Sequence, residues 1–348
     1  MNPYVLMILL SSLGLGTTLT FASSHWLLAW MGLEINTLAI VPLMAQHHHP
    51  RAVEATTKYF LTQATAAAMI LFASTTNAWL TGDWNMTNMS NPIASAMIIT
   101  ALALKIGLAP MHFWMPEVMQ GLDLLTGLIL STWQKLAPLA LIIQVAHAID
   151  PLLLTALGLM STLVGGWAGL NQTQLRKILA YSSIAHMGWM IIVVQHAPQL
   201  TLIALLTYIL MTSAAFLTLK ISSATKISTL ATVWSKSPIL TATTALVLLS
   251  LGGLPPLTGF MPKWLILQEL AKQGLPLTAT IMALAALLSL YFYLRLCYAM
   301  TLTISPNTTA SVTPWRIQTT QTSLPLALST MTALGLLPLT PAIMMLVT

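Results

Sequence analysis

Long apolar runs are the feature that most restricts how this chain can fold. Stretches such as 64–73 (ATAAAMILFA) and 138–146 (PLALIIQVA) belong to nearly uncharged segments of roughly 20 residues, the length of a helix that crosses a bilayer. A membrane β-barrel would show shorter segments of alternating hydrophobicity. Charged residues make up 6% of the 348 residues, against about 25% in soluble domains. We therefore predict an all-α polytopic membrane protein.

The apolar segments predict about 11 transmembrane helices. Their approximate ranges are 3–22, 25–45, 57–80, 94–116, 124–147, 151–171, 177–195, 198–220, 238–272, 275–299 and 322–345. The segment 238–272 is too long for one span, and Pro255 and Pro256 inside it predict two half-helices separated by a break. The polar segment 300–321 is predicted to be a loop before the last helix.

Basic loop residues fall almost entirely on one side of this predicted topology. One side receives Arg51, Lys58, Arg176, Lys177, Lys220, Lys226, Lys236 and Arg316. The other side receives only Lys272. By the positive-inside rule, the N-terminus and the basic loops face the compartment of synthesis, and the C-terminus faces away from it. The asymmetry accounts for most of the net charge of +6, so no nucleic-acid partner is predicted.

An internal repeat relates two proline-containing stretches. Residues 107–117 (GLAPMHFWMPE) align without a gap with 253–263 (GLPPLTGFMPK), and five of eleven positions are identical. The copies lie five predicted helices apart and therefore run in opposite directions. This pattern is typical of inverted-topology transporter repeats, here with breaks at Pro110 and at Pro255 and Pro256. The alternative is that both stretches are simply proline-rich helix ends.

The repeat divides the single membrane domain into three parts. The first inverted repeat is predicted at 1–147 and the second at 148–300. Residues 301–348 are predicted to hold the loop and a C-terminal transmembrane helix.

Four charged residues lie inside apolar segments: Glu34, Lys105, Lys135 and Lys263. Each costs about 2.5 to 3.5 kcal/mol at a helix centre on insertion scales, so we expect these residues to face the bundle interior, pair or contact water. Desolvation lowers the pKa of a lysine in general and a nearby carboxylate raises it, so such a pair can hold and release a proton. The alternatives are snorkelling for Lys263 and a static buried ion pair for Glu34.

The other candidate groups give weaker signals. His186 is a candidate proton relay, since its pKa is accessible near pH 7, or a hydrogen-bonded core histidine; His112 is weaker still. The run His47–His49 lacks partner ligands, so no metal site is predicted. One cysteine, Cys297, excludes an internal disulfide and a cysteine cluster. No phosphate-binding glycine motif and no haem or iron–sulfur ligand set is visible, so no cofactor is expected.

The motifs around these charges resemble those of a known family. They are WMGLEINTLA, ALKIGLAPMHFWMPEV, STWQKLAP, YSSIAHMGW and GGLPPLTGFMPKW. Over its whole length the chain resembles the antiporter-like membrane-arm subunits of respiratory complex I, which are related to subunits of multi-component Na⁺/H⁺ antiporters. The resemblance implies two inverted five-helix repeats, each with a discontinuous helix. It also implies a coupling pair at Glu34 and Lys105, a central lysine at Lys135 and an exit-side lysine at Lys263.

The resemblance further implies proton translocation across the inner mitochondrial membrane, driven by NADH oxidation and ubiquinone reduction elsewhere in the complex. NADH, FMN, iron–sulfur clusters and ubiquinone would then belong to other subunits. Partners would be other membrane-arm and accessory subunits and inner-membrane lipids such as cardiolipin. The N-terminus would face the matrix and the C-terminus the intermembrane space. Two alternatives are a stand-alone cation/proton antiporter and a structural scaffold of the membrane arm.

Overall fold

The computed structural model describes residues 2–46, 49–235, 237–302 and 324–347. Fifteen α-helices occur in these ranges. They are α1 Pro3–Ala22, α2 Trp26–Met44, α3 Pro50–Thr81, α4 Pro92–Ile106, α5 Trp114–Gly121, α6 Leu124–Val145, α7 Pro151–Ala168, α8 Leu175–Val193, α9 Pro198–Ser222, α10 Ile227–Ala231, α11 Pro238–Gly252, α12 Phe260–Lys272, α13 Pro276–Thr301, α14 Leu324–Gly335 and α15 Thr340–Val347. His47, His48, Lys236, Arg316 and most of the predicted loop at 300–321 lie outside the described residues.

The described part of the chain is helical and contains no β-strand, only two isolated bridges. Six helices are long and apolar enough to cross a membrane, namely α1, α2, α6, α7, α9 and α13. The bent pair of α14 and α15 makes a seventh when it is counted as one span. The predicted class, an all-α membrane protein with several spans, is confirmed.

The chain packs as two compact units. The first contains the residues up to Ser161 together with Val194–Pro198, and the second contains Thr162–Val193 and the residues from Gln199 onward. In the first unit, α1 and α2 approach most closely at Gly16 and Gly32. A Cβ added at Gly32 would lie 2.8 Å from the Gly16 carbonyl oxygen, so only glycine permits this contact. It places Asn36, one turn after Gly32, directly against Gly16.

Two helices stop abruptly inside apolar sequence, and they stop in the same way. α4 is followed by Gly107 with φ 83°, and α11 by Gly253 with φ 82°. Both glycines adopt the left-handed conformation that ends a helix without a Cβ penalty. Leu108 N–H donates back to Ala103 O at 2.9 Å, and Leu254 N–H donates to Leu249 O at 3.4 Å. Each break is therefore closed by the same hydrogen-bond pattern.

The prolines lie just beyond these glycines. Pro110 lies between α4 and α5, and Pro255 and Pro256 lie between α11 and α12. The segment 238–272 is thus interrupted, as its length predicted. A helix ending of this kind leaves backbone carbonyls without an intrahelical partner, and side chains near each break supply donors to them.

The C-terminal helix differs from its prediction. A single helix was predicted over 322–345, whereas α14 ends at Gly335 and the chain bends by 66° before the following helix. The bend contains Pro338, which has no amide to donate and whose ring clashes with the preceding turn. The prediction of a C-terminal transmembrane helix did not include this bend, because Pro338 was not considered.

Candidate functional site

A small internal cavity in the first unit collects two of the predicted charges. It has a volume of about 10 Å³, and both Lys105 on α4 and Lys135 on α6 line it. Lys105 is 6% exposed and Lys135 is 2% exposed. We call it the lysine cavity; its other polar lining groups are Asn36, Thr37, Tyr59, Gln63, Trp114 and Gln134. Two lysines from different helices thus face one water-sized space.

Glu34 reaches this cavity through a neighbour. The Thr37 hydroxyl, which lines the lysine cavity, lies 2.9 Å from Glu34 Oε2. Thr37 is therefore the link between Glu34 and the cavity that Lys105 lines. Glu34 and Lys105 do not share a hydrogen bond, because Lys105 Nζ has no hydrogen-bond partner among the described residues. Glu34 and Lys105 therefore do not form a hydrogen-bonded ion pair in the structure.

Protein groups in the described ranges do not satisfy the whole polar lining of the lysine cavity. Besides Lys105 Nζ, the buried atoms without a partner in the described part of the chain include Gln63 Nε2 and both amide atoms of Asn36. Asn36 and Gln63 are 2% and 3% exposed. Leaving a buried polar group unpaired costs about 1 to 3 kcal/mol. An unsatisfied cluster of this kind is typical of a functional site.

The first break is clamped by a tryptophan. Trp114 is the first residue of α5, and its Nε1 donates to Leu104 O at 3.0 Å. Its ring packs edge-on against Tyr59 of α3, with 5.7 Å between the ring centroids. The indole therefore satisfies a carbonyl of the last turn of α4, and Lys105 on the same turn is not needed for that purpose.

The second break is clamped by a lysine. Lys263 lies in the first turn of α12, and its Nζ donates to Gly252 O, at the end of α11, at 2.7 Å. A cation at a helix C-terminus also interacts favourably with the helix dipole. Lys263 lines an open, largely apolar cavity of about 530 Å³, together with residues of α8, α11, α12 and α13. In this structure the ammonium is directed back into the break.

His186 also belongs to the second unit. It lies on α8, and its ring centroid is 5.5 Å from that of Tyr208 on α9. His112 lies in the first break, where its Nδ1 is 3.3 Å from Pro110 O. Glu34, Lys105 and Lys135 therefore belong to the first unit, whereas His186 and Lys263 belong to the second.

A charged cluster ties α5 to α3. Lys58 Nζ lies 2.8 Å from Glu54 Oε1 and 2.8 Å from Glu117 Oε2. The hydrogen bond with Lys58 lowers the pKa of the Glu54 carboxyl, which precedes the apolar part of α3. The side chains are 43% to 63% exposed, and such surface pairs contribute little stability. The cluster therefore connects α5 to α3 at the surface without contributing much to the stability of the half-helix.

Sequence reasoning missed the uncharged polar residues of the site. Asn36, Gln63 and Gln134 are amides inside apolar helices, and Gln134 Nε2 donates to Asn36 O at 3.4 Å. A search for every polar side chain in the apolar segments, and not only for charges, would have found them. The sequence analysis also did not consider Arg295 of α13, whose Nη1 donates to Leu170 O at 2.5 Å.

The site offers groups that can hold protons. It combines a carboxylate, two buried amines and several hydrogen-bonding amides around a water-sized space. Among the described residues, no group of three or more His, Cys, Asp or Glu side chains is arranged to hold a metal ion.

Comparisons with known proteins cover nearly the whole chain. A family model described as the transmembrane region of NADH:quinone oxidoreductase and Mrp antiporter proteins matches residues 23–289. A second, described as the C-terminus of NADH dehydrogenase subunit 2, matches residues 290–344. The chain is 86% identical to NADH-ubiquinone oxidoreductase chain 2 of Carassius auratus, with 100% of both chains covered. It is 78% identical to the protein of that name from Danio rerio, again over 100% of both.

Solved structures share its fold. A chain of respiratory complex I from Thermus thermophilus with bound aureothin superimposes with a TM-score of 0.84 at 30% identity, covering 97% of this chain and 78% of that one. A chain of the Mrp complex from Dietzia sp. gives a TM-score of 0.84 at 15% identity, covering 97% and 75%. The second likeness shows the fold alone.

Proposed function

The chain belongs to the family of NADH:quinone oxidoreductase and Mrp antiporter membrane subunits, and on that basis we propose that it is a proton-translocating membrane subunit of mitochondrial respiratory complex I. Its partners are the other subunits of that complex. NADH oxidation and ubiquinone reduction take place in other subunits, with their cofactors. This chain contributes a set of titratable side chains in the inner membrane.

The observation that supports this function best is the lysine cavity. Lys105 and Lys135 share one small internal space, and Glu34 is linked to it through Thr37. We propose that movement of the Glu34 carboxylate toward or away from Lys105 changes how strongly Lys105 holds its proton. The charge on Lys105 then changes the proton affinity of Lys135, because like charges in a low dielectric repel strongly.

We propose that the second unit carries the remaining relay groups. Lys263 is the exit-side amine and His186 a relay histidine. In the structure Lys263 donates to Gly252 O. To transfer a proton, the ammonium must either break this hydrogen bond or release the proton of one of its other N–H groups. The breaks at Pro110 and at Pro255 and Pro256 supply free backbone groups that orient water.

The finer architecture is part of the same proposal. Eleven crossings result when α4 and α5, α11 and α12, and α14 and α15 each count as one span and α10 as none. The two inverted repeats would occupy 1–147 and 148–300, followed by 301–348. The shared hydrogen-bond pattern of the two breaks supports the repeat. The distribution of basic loop residues favours an N-terminus in the matrix and a C-terminus in the intermembrane space, and we propose cardiolipin among the bound lipids.

Substitution of the central lysine tests the function. In the assembled complex, Lys135→Met should remove most of the proton pumping, because the side chain keeps its length but loses the amine. Protons pumped per electron are measured in sealed vesicles, at equal amounts of assembled complex. Lys272→Met, at a 63% exposed side chain, is the matched control and should pump normally. An unchanged proton-to-electron ratio in Lys135→Met would contradict the proposal.

Two alternatives make different predictions. A stand-alone antiporter would give cation-driven proton flux after reconstitution of the purified chain alone; the fold shared with an Mrp chain is the reason to test it. A scaffold would leave pumping intact when Glu34, Lys105, Lys135 and Lys263 are all neutralised. The 86% identity over the full length favours the complex I subunit.

A further inference from the structure

Four buried polar atoms without a partner in the described residues belong to residues that line the lysine cavity. They are Lys105 Nζ, Gln63 Nε2, Asn36 Nδ2 and Asn36 Oδ1, and their three residues come from α4, α3 and α2. The other unpartnered buried atoms in the described ranges belong to Trp26, Asn77 and Tyr293, which do not line this cavity. Unsatisfied polar groups are therefore concentrated around one space.

The chemistry of these atoms selects the ligand. They comprise three donors and one acceptor, and an exchange of the two Asn36 amide atoms leaves that count unchanged. A small cation would meet the Lys105 ammonium, and an anion would leave the amide oxygen unsatisfied. A water molecule can accept from two of the three donors and donate to the oxygen, so it leaves one donor unsatisfied but, unlike a cation or an anion, it pairs with both kinds of atom. The volume of about 10 Å³ is about that needed for one water.

We propose that Asn36 and Gln63 form a binding site for one water molecule, which hydrogen-bonds the Lys105 ammonium inside the membrane. The two amides are positioning residues: they hold the water, and the water holds the charged form of Lys105. This inference rests on the proposed function only for its effect on pumping. The water site itself depends on the cavity and its unpartnered atoms.

Other titratable groups surround Lys105. They are Tyr59 on α3 and Lys135 on α6, which line the cavity, and Glu34 on α2, which is linked to it through Thr37. His112 lies in the first break beside Pro110, and Glu117 of α5 pairs with Lys58. None of these groups is removed when Asn36 or Gln63 is replaced by an apolar side chain of similar size. A change in the pH dependence of pumping would then reflect the lost hydration.

A map of the intact complex at a resolution that shows waters tests the site directly. Density for one water within hydrogen-bond distance of Asn36, Gln63 and Lys105 is expected in the native complex. The density should be absent in Gln63→Met. An empty cavity in a native map that shows waters elsewhere in this chain would overturn the site.

The pH profile of proton pumping tests the positioning role. In Gln63→Met and Asn36→Leu the ammonium loses a hydrogen-bond partner, so a lower pH is needed to protonate Lys105. The profile should move toward lower pH by about one unit. Asn36→Ser keeps a donor and an acceptor and should restore most of the native profile.

Asn77→Leu is the matched control for these variants. Asn77 is a buried amide of α3 whose Nδ2 donates to Asn88 O at 3.1 Å, and it lies outside the cavity. Its loss should reduce stability without moving the pH profile. Unchanged profiles in both Gln63→Met and Asn36→Leu would overturn the positioning role. If the water is present but Lys135→Met pumps normally, the water site stands and the proposed function fails.

Discussion

Lys105 and Lys263 have different surroundings, although each lies beside a helix break. Lys263 donates to the last residue of α11, whereas at the first break Trp114 donates to the last turn of α4. Trp114 thus has the clamping role at the first break, and Lys105 Nζ has no partner in the described residues. A lysine that does not cap the break is available for hydration and proton exchange. The two breaks share a closing pattern and differ in the residue that clamps them.

Trp114→Phe should loosen the first break selectively. The ring that packs on Tyr59 is largely retained, but the N–H that donates to Leu104 O is lost. The loss of about 1 kcal/mol should increase hydrogen exchange at the amides of Gly107 and Leu108 by roughly fivefold. Hydrogen–deuterium exchange with mass spectrometry measures this effect in the assembled complex.

Trp264→Phe provides the comparison for that variant. Trp264 lies just after the second break, is 57% exposed and packs edge-on against Phe260. The same substitution there removes an exposed indole N–H instead of a buried one. Exchange at Gly107 and Leu108 should then be unchanged. Equal exchange in Trp114→Phe and the native protein would show that the indole does not clamp the break.

The charged residues of the candidate site could be predicted from the sequence, whereas its asparagine and glutamine residues could not, for a physical reason. A charge inside an apolar segment has a large desolvation penalty, so its position alone marks it as unusual. Asparagine and glutamine are less costly and blend into the polar residues at helix ends. Their importance at positions 36 and 63 follows from tertiary packing, which brings them to one cavity with Lys105.

At the scale of elements, the second break is tied to the C-terminal helices. Thr258 lies within this break and is 2% exposed. Its hydroxyl donates to Ala333 O, close to the end of α14. The last carbonyls of a helix lack intrahelical partners. Thr258 therefore satisfies a carbonyl of α14 from outside that helix.

Thr258→Val should weaken this connection. The replacement keeps the shape of the side chain but removes the hydroxyl, at a cost of about 1 kcal/mol. Amides in the last turns of α14 should exchange faster by roughly fivefold, because local opening becomes easier. Thr258→Ser retains the hydroxyl and should exchange like the native protein. Equal protection in the Val and Ser variants would show that the hydrogen bond does not hold α14.

The two kinds of helix interruption differ in how well the sequence predicted them. The break after Gly253 was expected because the segment is too long for one span and contains adjacent prolines. The bend at Pro338 was missed because the whole segment has an ordinary span length. Length therefore identified a break only where it exceeded the bilayer thickness.

At the scale of the whole molecule, composition determined the class and packing determined the rest. Low charge and long apolar runs were sufficient to predict an all-α membrane protein. The limits of the two units, and in particular the assignment of Val194–Pro198 to the first, depend on contacts between distant residues. No local pattern in the sequence carries that information.

The proposed topology predicts opposite accessibilities for two lysines. Lys226 precedes α10 and Lys272 ends α12, and one crossing, made by α11 and α12, separates them. A membrane-impermeant amine reagent should label Lys272 in mitoplasts, where the inner membrane is intact and its outer face is exposed. Lys226 should be labelled in inside-out submitochondrial particles. Mass spectrometry of the peptides identifies the modified residue, and a soluble matrix protein monitors membrane integrity.

The pattern of labelling separates the two ways in which this topology can fail. If both lysines are labelled but on the reversed sides, the positive-inside assignment is wrong and the number of spans stands. If both are labelled from one side, α11 and α12 enter and leave the membrane on the same face. The break at Pro255 and Pro256 would then form a re-entrant loop, and the inverted repeat would lose one of its crossings. Only labelling from opposite faces, with Lys272 outside the matrix, agrees with eleven crossings and a C-terminus in the intermembrane space.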